Sequence, residues 1–396
     1  MKRQFTVLAL ALALPLAWQG TAAAQATGAK PQENANQSIW TLDVTQFRKE
    51  RGDVGGYTKQ WDLSDLPRYE PRHKLSGTLR IWGSNYLQDG PLGGYWKDEF
   101  LKHHPDLTIE YNLPTSGIAI PALAAGIADV GVGRPATLMD YLTFQQVFRY
   151  SPTEFTVATG SYDVYGWSPA FIILVNEKNP LTKISMRQLD GVFGTARLGG
   201  YDGSVWRNDY PYRRGPEDNI RTWGQLGLTG EWADKPIHPC GQSPRANIQV
   251  VFQNLVLRGS GQWVEGYRAF ANYATPEKKI APWSLQVMNE VRNDPQAICI
   301  GSPLTMGPGM RELAVQGFDG GPHVQRTLES VRDRSYPLIN EIFFYANKPP
   351  GKPMDPKVEE FVRFVLSQQG QAQVQREGRY LPLPGDVVRE QLKKLD

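Results

Sequence analysis

The sequence predicts an α/β fold built on mainly parallel sheets. From Gly77 onward, short apolar runs of strand length alternate with segments of helical period, the pattern of parallel strands joined by helical crossovers. One run, Phe171–Val175 (FIILV), is apolar throughout, as in a strand covered on both faces. Gly 39 and Pro 30 in 396 residues favour many turns over a helical bundle.

At the start, Lys2 and Arg3 precede an apolar stretch from Phe5 to Trp18. Small residues follow, with Ala22-Ala23-Ala24 or Ala24-Gln25-Ala26 as the cleavage site, so residues 1–26 read as a bacterial secretory signal and the mature protein as periplasmic. Residues 27–75 are polar and turn-rich. They read as an N-terminal extension on the outside of the main body, with an amphipathic helix near Trp40–Arg51.

The main body then runs in order. Gly77–Trp82 is a strand and Gly83-Ser84-Asn85 a turn. Tyr95–His104 is a helix with Trp96, Phe100 and Leu101 on one face, and Leu107–Tyr111 the next strand. Thr115-Ser116-Gly117 opens a helix over Ile118–Ala125, and Ala128–Val132 is a short buried strand ending at Gly133-Arg134-Pro135. After the Phe171–Val175 strand comes a helix over Ile184–Phe193, and residues 194–222 are rich in Gly, Tyr and Arg without period. Pro236–Cys240 is a strand, and Ser243-Pro244 an N-cap and first-turn proline before Ile248, Val251, Phe252 and Leu255 at helical spacing. Val287–Arg292 is a helix end, Ala297–Gly301 and Ile339–Tyr345 are strands, and an amphipathic helix over Lys357–Leu366 follows.

Composition narrows the function. A net charge of +3 is too small for a protein that binds nucleic acid by neutralising phosphates. After the leader nothing stays apolar for the ~18 residues a membrane helix needs. The five histidines and two cysteines have no zinc-ligand spacing, so no metal or cofactor is expected. In an oxidising compartment Cys240 and Cys299 can form a disulfide, with two buried free thiols as the alternative. There is no G-x-S-x-G elbow, Walker loop or H-E-x-x-H, so the chain does not read as an enzyme.

Four strand ends run into small or hydroxyl residues: Ser84-Asn85, Ser116-Gly117, Gly133-Arg134 and Ser243-Pro244-Arg245. Open α/β sheets bind ligands outside the carboxyl ends of their strands. Amides at a helix start suit an anion, and the forks of Arg134 and Arg245 can hold an oxyanion by two bonds. Each feature alone has a plainer reading, a simple cap or a solvated arginine; their recurrence points to an anion site. The stretch from Arg197 to Arg221 reads as a lid, a partner-facing loop or an insertion packing its own aromatics.

From Gly77 to about Leu383 the chain resembles the periplasmic phosphate-binding proteins of ATP-driven importers and their phosphate-binding-like relatives. Ile81–Ser84 with Trp96, Phe100 and His104-Pro105 carry the first match, and Ser116-Gly117-Ile118 with Gly126–Gly131 and Arg134 the second. A third spans Val175-Asn176, Asn179-Pro180-Leu181, Ile184-Ser185, Gln188-Leu189 and Val192-Phe193-Gly194, resuming at Trp223–Gly227. The fourth runs from Tyr336-Pro337-Leu338 through Tyr345, Asn347-Lys348, Phe361, Phe364, Leu366-Ser367 and Gly370-Gln371 to Tyr380–Leu383.

The resemblance implies a two-lobed type 2 periplasmic binding protein, each lobe a mainly parallel sheet flanked by helices, joined by hinge strands. Lobe 1 would comprise residues 76–167 and 305–396, and lobe 2 residues 168–304. Ligand contacts would fall on Ser84, Asn85, Tyr86, Ser116, Gly117 and Arg134. In lobe 2 the pattern departs: Gln242 stands where the family has an arginine, and Ala246-Asn247-Ile248 replace its Ser-Gly-Thr run. Ser243, Arg245 and Asn247 are the residues left to substitute. The expected function is capture of phosphate or a similar oxyanion by a monomer that delivers it to an ABC permease in the inner membrane. The alternatives are an organic acid or sugar stacked on Trp82, Tyr86 or Trp167, or an exported scaffold or adhesion protein that keeps only the fold.

Overall fold

The computed structural model describes residues 55–396 except 165, 203 and 276–279. The leader and the helix expected near Trp40–Arg51 lie outside the described residues.

Ten strands form two five-stranded sheets. β1 (Gly77–Gly83), β2 (Leu107–Asn112), β3 (Val130–Gly133) and β4 (Thr153–Thr159) lie in the first. β5 (Ile172–Asn176), β6 (His238–Gln242), β7 (Arg268–Phe270), β8 (Ala297–Gly301) and β9 (Met310–Glu312) make the second, and β10 (Glu341–Ala346) returns to the first. The orders are β2-β1-β3-β10-β4 and β7-β6-β8-β5-β9. In each sheet one strand runs against its neighbours: β10 is antiparallel to β3 and β4, β5 to β8 and β9. In each case it is the strand by which the chain enters that sheet from the other. The two sheets thus repeat one topology, and each belongs to a lobe.

Each lobe has its own core. The first packs Leu79, Ile81, Trp96, Phe100, Val130, Phe155, Phe344 and Phe361, all fully buried. The second packs Phe171, Ile173, Leu189, Phe193, Phe252, Ile298, Tyr336 and Leu338. β5 is buried at all five positions, as its unbroken apolar sequence requires. β9 lies on β5, and Leu313, Val315, Val331 and Leu338 belong to the second core. The return crossing lies at Leu338–Glu341, where Phe171 N–H donates to Leu338 O at 2.9 Å and Gly160 N–H to Asn340 O at 2.8 Å.

That crossing is tight enough to need glycine. A Cβ on Gly160 would stand 2.0 Å from Ser168 O and 2.7 Å from Asn340 O. Sequence chemistry also sets helix starts. Thr137 and Asp140 form a capping box for the helix Leu138–Phe148, and Ser185 with Gln188 one for Met186–Phe193. Because Ser185 is the cap, Lys183–Ser185 is a strand rather than the first turn of the expected helix.

Residues 55–75 pack Leu63, Leu66, Tyr69 and Leu75 into the first core. Tyr57 touches both cores, and its Oη donates to Asp163 at 2.7 Å in the first hinge crossing. The Gly-, Tyr- and Arg-rich stretch is pinned to lobe 2: buried Arg197 grips Asp190, and Arg221 donates to the carbonyls of Gly191 and Gly194. It also forms a hairpin, Gly200–Asp202 with Val205–Arg207. Cys240 and Cys299 face each other in register on β6 and β8 and are disulfide-bonded.

Candidate functional site

Between the lobes lies a cavity of about 550 Å³. Ser84, Tyr86, Thr115, Ser116, Gly133 and Arg134 line it from lobe 1; Gln242, Ser243, Arg245, Ala246 and Ile248 from lobe 2. Its floor is the hinge, with Ser168, Pro169, Asn340 and Glu341, and Asn272 and Trp283 close one side. The carboxyl ends of β1, β3 and β6 open here, where open α/β sheets hold ligands.

Each wall has a local cause. Gly83 has φ +142°, and a Cβ there would collide with Val132 O. The strand can therefore curl over β3, with Ser84 N–H donating to Val132 O at 2.8 Å. Ser84 is buried, and its Oγ lies 3.4 Å from Tyr86 N. Ser116 begins a short 3-10 turn, and the helix Ala119–Ala124 follows it; glycine at 131 and 133 lets β3 approach that turn closely.

Arg134 is held firmly. Its Nη1 donates to Asp140 Oδ2 at 2.7 Å and to Pro135 O at 2.9 Å. Its Nε is buried with no hydrogen-bond partner among the described residues. Behind it, Tyr345 Oη lies 2.7 Å from both Arg134 O and Glu154 Oε2. Burial raises the Glu154 carboxyl above its usual range, against the pull of Tyr345 and Lys394. Glu341, at the hinge end of β10, carries a negative charge into the cleft and is paired with Arg334.

Lobe 2 differs from the expected layout. The helix there is Asn247–Leu255, its N-cap is Ala246, and no side chain caps it. Ser243 is not the cap: the helix starts beyond it, and its N–H donates to Phe270 O at 2.7 Å, extending the strand. Ser243–Ala246 instead form a turn closed by Ala246 N–H to Ser243 O, leaving the helix start open toward the cavity. Arg245 lines the cavity and is exposed.

Seven of the residues picked out in the sequence therefore meet in one cavity: Ser84, Tyr86, Ser116, Arg134, Gln242, Ser243 and Arg245. Three do not. Asn85 turns to bond Asp89 at 2.5 Å, Gly117 is exposed and does not line the cavity, and the side chain of Asn247 lies outside the described residues. Trp167 is fully buried under Arg379 and is not available for stacking. The sequence reading missed Thr115, Ser168, Asn340, Glu341 and Trp283. Asn340 and Glu341 start a strand that was recognised, but only its antiparallel direction brings that end to the cleft.

The profile of the PBP superfamily domain matches residues 74–369. The chain belongs to this family. The matched span contains all ten strands of both sheets, so the PBP superfamily domain accounts for both lobes and the hinge. The type 2 binding-protein fold expected from the sequence is the fold observed. The phosphate-binding protein PstS of Pseudomonas aeruginosa is 28% identical over 331 residues, which cover 83% of this chain and 90% of that protein. Solved structures similar to this PBP superfamily member include an ABC-type phosphate transport receptor from Vibrio cholerae, 17% identical, with a TM-score of 0.45 and coverage of 77% of this chain and 100% of that one. PstS from Borrelia burgdorferi is 16% identical with a TM-score of 0.47, covering 78% and 100%.

Proposed function

We propose that this chain is an exported solute-binding protein that captures phosphate or a similar oxyanion in the interlobe cleft and delivers it to an ABC-type importer. The observation that carries this reading is Arg134: a guanidinium fixed by Asp140 at a strand end, lining a cavity shared by both lobes. Ser84 and Ser116 add hydroxyl donors beside it. Across the cleft the uncapped start of Asn247–Leu255 and the charge of Arg245 complete an anion cradle. The PstS relative supports phosphate as the first ligand to test, and the charged, apolar leader supports export to the periplasm. In this reading residues 76–167 and 339–396 form lobe 1 and residues 168–338 lobe 2, with closure about the two crossings near Gly160 and Asn340.

A charged ligand must be stripped of water, so ligand contacts made by both lobes drive closure. Loss of the family's arginine at Gln242 leaves room and one less cation. This makes an organic oxyanion such as a carboxylate the second candidate, within the size range of small-molecule pockets (about 300–1,000 Å³).

The test is titration calorimetry of phosphate into mature protein freed of ligand by unfolding and refolding. Micromolar binding lost in Arg134→Ala is expected. Absence of heat and of thermal shift at millimolar phosphate overturns the phosphate reading and moves the search to organic anions.

A further inference from the structure

The phenol of Tyr345 has one proton and two neighbours that both want it. Its Oη is 2.7 Å from the carbonyl of Arg134 and 2.7 Å from Glu154 Oε2. If Glu154 is ionised, both neighbours are pure acceptors and one hydrogen bond is lost. If Glu154 carries a proton, the chain closes: Glu154 donates to Tyr345, and Tyr345 donates to Arg134 O. We propose that Glu154 works as a protonated acid that positions the Arg134 loop through Tyr345, and that oxyanion affinity falls when Glu154 ionises.

The surroundings of Glu154 support this assignment. It sits on β4, facing Tyr345 and Glu341 of β10, Tyr141 of the helix Leu138–Phe148, and Lys394 near the C terminus. The Ala136 N–H also points at it. Lys394 and that amide favour the carboxylate, whereas burial and Glu341 oppose it, and burial is the largest influence. Lys394 spends its own donors on Glu154 O at 2.8 Å and Gln391 Oε1 at 2.7 Å, not on the Glu154 carboxyl. Glu154 touches the backbone of the loop and not the cavity, so it is a positioning residue. Its ionisation would free the Arg134 carbonyl and set a negative charge behind a site built for an anion.

The proposal rests on the oxyanion reading, and its test separates the two. Phosphate affinity is measured for wild type and Glu154→Gln from pH 5 to pH 8. Taking the ratio of the two at each pH removes the titration of phosphate itself. Glutamine can donate to Tyr345 at every pH, so the two proteins should match near pH 5, and wild type should be weaker by roughly ten-fold near pH 8. Glu154→Ala should bind weakly at pH 5, with Gln restoring what Ala loses. A wild-type to Gln ratio that stays constant across the range overturns the proposal. If wild type binds no phosphate at any pH, the oxyanion reading fails, and melting curves judge Glu154 alone. A carboxyl raised in the fold loses stability as pH rises above its unfolded value. Wild type should therefore fall progressively below Glu154→Gln, and parallel melting overturns the proposal in that case.

Discussion

Asn254, on the lobe 2 helix Asn247–Leu255, donates from Nδ2 to the carbonyl of Ala136 in lobe 1 at 3.1 Å. Ala136 is two residues from Arg134, so this cross-cleft bond lands on the loop that presents the guanidinium. Lobe approach and placement of Arg134 are thereby linked through one short segment, gripped by Tyr345 from below and by Asn254 from across the cleft.

Asn254→Ala should release phosphate faster, by about five-fold, the value of one net hydrogen bond. Association should be nearly unchanged, because that bond forms only as the lobes meet. Stopped-flow dissociation read by Trp fluorescence measures both rates. An unchanged off-rate would show that Asn254–Ala136 contributes nothing to holding the closed state.

Gln242 ends β6 at the cavity, and its carbonyl is held by Tyr267 Oη at 2.8 Å. The backbone is thus fixed whatever the side chain. Gln242→Arg should add a charge-assisted bond to a bound oxyanion and tighten phosphate by roughly ten-fold or more. Calorimetry at two salt concentrations checks this, since the gain should shrink with screening. Unchanged affinity would mean that the bound ligand does not reach this strand end.

Much of this was legible in the sequence because local signals agreed. Phe171–Val175 read as a doubly covered strand, and β5 is one. Ser84 and Arg134 marked strand ends, and both line the cleft. What stayed hidden depended on contacts distant in sequence. The helix start after Ser243 lies three residues later than expected, with Ser243 held to Phe270 of the adjacent strand and Ser243–Ala246 closed as a turn. The pairing of β9, only three residues long, with β5 also rests on a contact far away in sequence. Asn85 looked like a ligand contact, but its neighbour Asp89, one helical turn on, takes its amide.

A buried cluster fastens the segment before β1. Glu360 is fully buried and accepts from Arg72 N at 2.7 Å, His73 N at 2.9 Å and Tyr69 Oη at 2.8 Å. Since Tyr69 gives its proton to Glu360, His104 Nε2, at 2.6 Å, must be the donor to Tyr69. Glu360→Gln puts an NH₂ among three donors and should cost about 2–3 kcal/mol in a denaturant melt. Burial also lowers the pKa of His104. A lowered value means stability that is complete above the unfolded pKa, near 6.5, and lost as pH falls below it. His104→Gln, which keeps a donor, should flatten the decline in stability between pH 7 and pH 5. Equal slopes in both proteins would assign the acid sensitivity elsewhere.

The Cys240–Cys299 bond closes a loop across 59 residues between two adjacent strands of the lobe 2 sheet. Chain entropy gives such a crosslink about 4 kcal/mol of stabilisation. The Cys240→Ser, Cys299→Ser double variant should therefore melt well below wild type, and a reducing agent should lower wild type toward it while leaving the variant unchanged. Because Cys240 lies two residues before Gln242, loosening β6 should also weaken the lobe 2 half of the site, whereas Arg134, on the other sheet, keeps its bond to Asp140. Phosphate affinity should thus fall less than it does in Arg134→Ala. A variant that melts like wild type would mean that the strand ladder alone holds the loop.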